Sequence, residues 1–137
     1  MNAQAYTFGH GGEVVVGWEI RTSPKLFHEA VQHAVVRQSN GSLLDVTPHP
    51  RLERETCFVE DSTIEFSNAG GATQINRYYP ICEDRLRSKV DELIEIVCRQ
   101  QRYMIETGLL AFGFNMGDRV EGLNELVEEL RSEVNGE

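Results

Sequence analysis

His33 and Asp45 are the side chains of this sequence best placed to do chemistry together. An imidazole beside a carboxylate is held in one tautomer and its charged form is stabilised, which is what a general base requires. Two runs rich in β-branched residues flank Ser39-Asn40-Gly41, and Asn-Gly between such runs signals a hairpin. Loop length decides whether the pair meets. A two-residue turn at Asn40-Gly41 pairs residues whose numbers sum to 81, so Asp45 faces Val36 and turns away from His33. A three-residue loop, with Gly41 left-handed as a bulge, pairs residues summing to 80. Asp45 then pairs with Val35 and lies beside His33 on one face, because strand side chains alternate. The plainer alternative is a half-exposed hairpin in which His33 and Asp45 are incidental.

The elements that must position this pair divide the chain into a strand-rich part, 1–79, and a helical part, 83–137. Val14 to Ile20 reads as a strand opened by Gly11-Gly12, and Ser23-Pro24 marks a connection. Leu26 to Arg37 is expected to be extended, with a helix as the alternative because Phe27 to Gln38 holds enough helix formers. A third strand runs from Leu43 to Thr47 and ends at Pro48-His49-Pro50, since proline cannot donate to a ladder. Glu55 to Val59 and Thr63 to Phe66 are expected as short strands on either side of Asp61, followed by a loop from Ser67 to Thr73.

The clearest helix covers Glu83 to Glu106, with Leu86, Val90, Leu93, Val97 and Met104 on one stripe, widened by Ile94 and Ile105. Thr107-Gly108 supplies a stop. A second helix is expected from Asp118 to about Val134, with Val120, Leu123, Leu126, Val127, Leu130 and Val134 as its stripe. Leu109 to Met116 between them is apolar enough to pack or to add an edge strand. The expected architecture is therefore α+β: an N-terminal antiparallel sheet of about four to six short strands, then two amphipathic helices, in one domain. The apolar stripes require cover, either from each other or from a second copy in a homodimer.

The string His33-Ala-Val-Val, a polar turn with Gly41, then Leu-Leu-Asp45-Val-Thr-Pro48 resembles a group of small bacterial proteins of uncertain function. The likeness extends upstream through His10-Gly11-Gly12-Glu13 and Gly17-Trp18-Glu19-Ile20. It continues weakly downstream through Phe58-Val59-Glu60-Asp61, covering roughly residues 6 to 90. The His-to-Asp hairpin also resembles that of papain-like and transglutaminase-like thiol enzymes. In those enzymes a cysteine at a helix start is the nucleophile. The resemblance implies such a cysteine upstream of the Gly-Gly-Glu segment, where this sequence has none; no Cys precedes His33.

Cys82 is the alternative nucleophile. It immediately precedes Glu83, so it is expected at the N-cap or first turn of the long helix, where unpaired N–H groups and the dipole favour a thiolate. The order His33, Asp45, Cys82 fits a circularly permuted papain-like arrangement. Adjacent Glu83 and Asp84 oppose the thiolate charge, and a plain capping role is the competing reading. Cys57 and Cys98 read as small core residues. His10, His28, His33 and His49 have no metal-ligand spacing, so no metal or cofactor is expected. Gly9 to Gly12 is better explained as a strand-entry turn than as a phosphate loop. Trp18 is expected as a core or pocket-wall aromatic.

Composition bounds the remaining choices. The sequence has 137 residues, a net charge of −9, 40% hydrophobic and 26% charged residues, ordinary for a globular domain. Phosphate contacts need clustered Lys and Arg, so a nucleic-acid binder is disfavoured. The acidic excess is uneven, −3 over residues 1–82 and −6 over 83–137. No apolar run approaches the ~18 residues of a membrane span. Three widely spaced cysteines without a Cys-x-x-Cys pair fit reduced thiols in the cytoplasm. Two functions follow: a silent relative of a papain-like hydrolase that binds a protein or peptide, or an active cysteine hydrolase or transferase using His33, Asp45 and Cys82.

Overall fold

The computed structural model of the chain describes residues 3–46, 57–66, 72–107 and 123–135. The architecture is α+β, an antiparallel sheet in the first half followed by helices. The chain forms two compact units, one of residues 1–21 and 31–65, the other of residues 22–30 and 66–137.

The first unit opens with α1 (Ala3–His10), and Gly11 and Gly12, both at positive φ, lead into β1 (Glu13–Ser23). With β2 (Phe27–Arg37), β3 (Leu43–Leu44) and β4 (Cys57–Glu60) the sheet order is β3-β2-β1-β4. β4 pairs antiparallel with β1, Trp18 opposite Val59 and Glu19 opposite Phe58. Gly17 makes this approach possible, because a Cβ there would overlap the Val59 carbonyl oxygen and lie 2.7 Å from the Phe58 ring. Val15, Trp18, Val35, Val36 and Ile64 are buried in this unit. Both Trp18 and Glu19 are buried although they are consecutive on β1, so both faces of the strand are covered at that point.

The expected strand at Thr63 to Phe66 is not formed. Asp61 Oδ1 instead accepts from the Thr63 backbone N–H and hydroxyl at 3.0 and 2.6 Å, and Ile64 N–H reaches Asp61 O at 3.3 Å. A local carboxylate bond thus competes successfully with a ladder and closes a turn. Cys57, expected in the core, is exposed on β4. The stretch after β3 expected to continue to Thr47 is extended in the ladder only over Leu43–Leu44; Thr47 to Pro50 and 51–56 lie outside the described residues.

The second unit contains the β1–β2 turn, β5 (Arg77–Pro80), α2 (Arg87–Glu106) and α3 (Leu123–Asn135). Ser23 O accepts from Leu26 N–H at 3.0 Å, with Pro24 fixing the first corner and Lys25 at φ 62° supplying the second. β5 pairs antiparallel with the start of β2, Glu29 opposite Tyr78, a strand that the sequence alone did not reveal. α2 begins four residues later than the periodicity implied, after a 3₁₀ turn at Asp84–Leu86. Its stripe is as expected: Leu86, Val90, Leu93 and Leu130 form a buried cluster, with Val97, Leu126, Val127 and Val134 packed against it. The described part of the α3 stripe, Leu126, Val127, Leu130 and Val134, thus packs with the α2 stripe, and Lys89 ties the helices together through Glu129 at 2.6 Å and Glu133. The expected helix residues 118–122, and the linker Leu109 to Met116, lie outside the described residues.

A polar network is buried beside this apolar cluster's helix. Asn76 N–H donates to Gln101 Oε1 at 2.5 Å, and Gln101 Nε2 returns a bond to Asn76 Oδ1 at 2.8 Å. Asn76 Nδ2 and the Tyr78 hydroxyl both donate to Glu29 Oε1, at 2.6 and 3.1 Å. The network fixes the entry to β5 against α2 and β2 by satisfying groups that would otherwise be costly to bury. Among the described residues no helix is long and apolar enough to cross a membrane.

Candidate functional site

The hairpin between β2 and β3 takes the longer of the two loops. Val36 pairs with Leu44 and Arg37 with Leu43, the register that sums to 80. Gln38 N–H donates to Ser42 O and Gly41 N–H to Gln38 O, both at 2.9 Å, with Gly41 at φ 85°. Only glycine, or rarely asparagine, adopts that conformation without strain. Asn40 Oδ1 accepts from the Ser42 N–H and hydroxyl at 3.0 and 2.6 Å and fixes the far side of the loop. This register carries Asp45 to His33.

His33 Nε2 donates to Asp45 Oδ2 at 3.0 Å. A third residue completes the arrangement. Glu19 Oε2, from the middle of β1, lies 3.6 Å from the same nitrogen. β1, β2 and the residue following β3 therefore each present one group to one place. The side chains of Glu19, His33 and Asp45 are 3%, 13% and 14% exposed, so bulk water screens these charges little. Arg21 Nε donates to Glu19 Oε1 at 3.0 Å, and the other end of the guanidinium reaches Oε2 at 3.5 Å, giving the buried carboxylate a cationic partner. Alternation along β1 and β2 sets Val15 and Val35, both buried, on the same face.

The arrangement orients an imidazole and surrounds one of its nitrogens with carboxylate oxygen. It can accept, pass or hold a proton, bind a cationic group, or ligate a metal ion. The cluster contains no cysteine. Cys82 belongs to the second unit, half-buried against the Leu86, Val90, Leu93 and Leu130 cluster. It does not cap a helix: Glu83 occupies the N-cap of the 3₁₀ turn and Leu86 that of α2, neither with a side-chain cap bond. Trp18 Nε1 donates to Asp61 Oδ2 at 3.1 Å, and, as the residue before Glu19 on β1, it faces the opposite side of the sheet. The structure thus brings His33 and Asp45 together and leaves Trp18 and Cys82 in other settings.

Glu19 is the site residue that sequence reasoning missed. Its signal was available, since Val15, Gly17 and Glu19 share a face of β1 and a charged residue on a buried face needs a partner. Comparison with known families, curated proteins and solved structures finds no match for this chain.

Proposed function

We propose that this chain is a catalytically silent relative of papain-like thiol hydrolases, one that keeps the His33–Asp45 pair as part of a face for binding a protein or peptide. The observation that carries this reading is the composition of the cluster. The imidazole is held at 3.0 Å by Asp45, is approached by Glu19, and has no thiol in its group, while Cys82 packs against Leu86, Val90, Leu93 and Leu130. Nucleophilic catalysis needs the thiol within reach of the base. The net charge of −9 suits a partner rich in Lys and Arg. Three cysteines without disulfide bonds fit a reducing, cytoplasmic setting.

Alkylation tests the reading. Iodoacetamide labelling of Cys57, Cys82 and Cys98, followed across pH and mapped by mass spectrometry, is expected to show no cysteine whose rate depends on His33. Exposed Cys57 should label fastest. Preferential labelling of Cys82 near neutral pH, abolished by His33→Ala, would replace this reading with an active thiol enzyme of permuted order.

A further inference from the structure

We infer that Glu19, His33 and Asp45 form a binding site for a divalent first-row transition-metal ion, with Zn²⁺ as the fitting probe. The proposal does not depend on the silent-relative reading, since a metal site can exist with or without catalysis. The donor atoms, one imidazole nitrogen and one oxygen from each carboxylate, all lie within 4.8 Å of one another. An ion of this class holds N and O donors at about 2.0–2.2 Å. That radius places neighbouring donors roughly 3.0–3.5 Å apart in octahedral or tetrahedral geometry. His33 Nε2 to Asp45 Oδ2 is 3.0 Å, and to Glu19 Oε2 is 3.6 Å. These two separations lie at or within tenths of an ångström of that range, and the two carboxylate oxygens lie within 4.8 Å of each other.

Charge and burial point the same way. Two carboxylates with side chains only 3% and 14% exposed meet beside one ring, and such carboxylates need compensating positive charge. Arg21 supplies part of it from a side chain 55% exposed, leaning in from the rim. A divalent ion held between the two carboxylates would add positive charge where they meet. Arg21 on Oε1 would then act as the outer partner that holds the Glu19 carboxylate with Oε2 toward His33. An imidazole with carboxylates suits zinc, manganese or iron, whereas magnesium and calcium favour all-oxygen shells. Binding requires the Nε2 lone pair. The proton that Nε2 shares with Asp45 therefore leaves to solvent or is carried at Nδ1 as the ion enters. Three protein donors leave coordination positions for water, the arrangement found in open zinc sites.

The test uses the full chain and Zn²⁺ in competition with a chromophoric chelator. One equivalent per chain is expected. Affinity should fall at least about tenfold in His33→Ala and in Asp45→Asn, and stay unchanged when Cys57, Cys82 and Cys98 are all replaced by serine. Circular dichroism checks that each variant is folded. X-ray absorption at the zinc edge of the wild-type protein decides the matter even if a variant unfolds. One imidazole, oxygen donors and no sulfur are expected in the shell. Absence of stoichiometric binding, binding unaffected by both substitutions in folded protein, or sulfur in the shell would each overturn the assignment.

Discussion

His33 Nε2 stands 3.0 Å from Asp45 Oδ2 because the loop between them is one residue longer than the tightest hairpin. One residue fewer would shift the register and turn Asp45 to the other face. The two side chains should therefore be energetically coupled. A double-mutant cycle of His33→Ala and Asp45→Ala, read by urea unfolding, is expected to give an interaction energy of about 0.5–3 kcal/mol. Strict additivity would mean that the pair is in contact without stabilising the fold.

Close packing of β4 on β1 rests on a missing side chain. In Gly17→Ala the new methyl meets the Val59 carbonyl and the Phe58 ring, and backbone cannot swing aside as a flexible side chain would. Overpacking of this kind costs about 1–3 kcal/mol. Thermal unfolding should show the loss. A stability equal to that of the native chain would mean that β4 does not sit against Gly17.

Gln101 is a buried polar residue on the apolar side of α2, held by two bonds to Asn76. Gln101→Leu keeps its bulk but leaves the Asn76 amide proton and Oδ1 unpaired. The expected cost is about 1–3 kcal/mol, the range for stranding a buried polar group. Replacing Asn76 in the same chain should cost less than it does alone, since its bonds to Gln101 are already broken and only that to Glu29 remains.

Burial, reinforced by the charge of neighbouring Glu29, pushes the Tyr78 phenol well above its ordinary value of 10.0. The folded state therefore holds this proton more tightly than the unfolded chain does. The corresponding stability is fully present below about pH 10 and is lost as pH rises beyond it. Burial pushes the Cys98 thiol up as well, which adds a loss of the same sign. Urea unfolding at several alkaline pH values should give a shallower decline in Tyr78→Phe than in the native chain. Identical slopes would place Tyr78 in water.

What the sequence made legible follows the range of the interactions involved. The β2–β3 register is local, written in Ser39-Asn40-Gly41, and the stripes of α2 and α3 are written in their periodicity. α1 is only eight residues long with a weak apolar face, so it left little pattern to read. β5 is short, ends in Pro80, and is a strand only because Phe27 to Ala30 offers it a ladder. Glu19 joins His33 only when β1 and β2 pair. The Thr63 to Phe66 segment has strand-forming residues, yet Asp61 captures its first amide.

Nuclear magnetic resonance of the histidine ring nitrogens reads the contacts of His33 with Asp45 and Glu19 directly. Two-bond ¹H–¹⁵N correlation spectra of the metal-free native chain, Asp45→Asn and Glu19→Gln report the proton and partner of each ring nitrogen. His33 is expected to hold a hydrogen-bonded Nε2 proton, protected from exchange, whose signals move strongly in Asp45→Asn and measurably in Glu19→Gln. His33 signals that match a freely exchanging surface imidazole, and ignore both substitutions, would contradict these contacts.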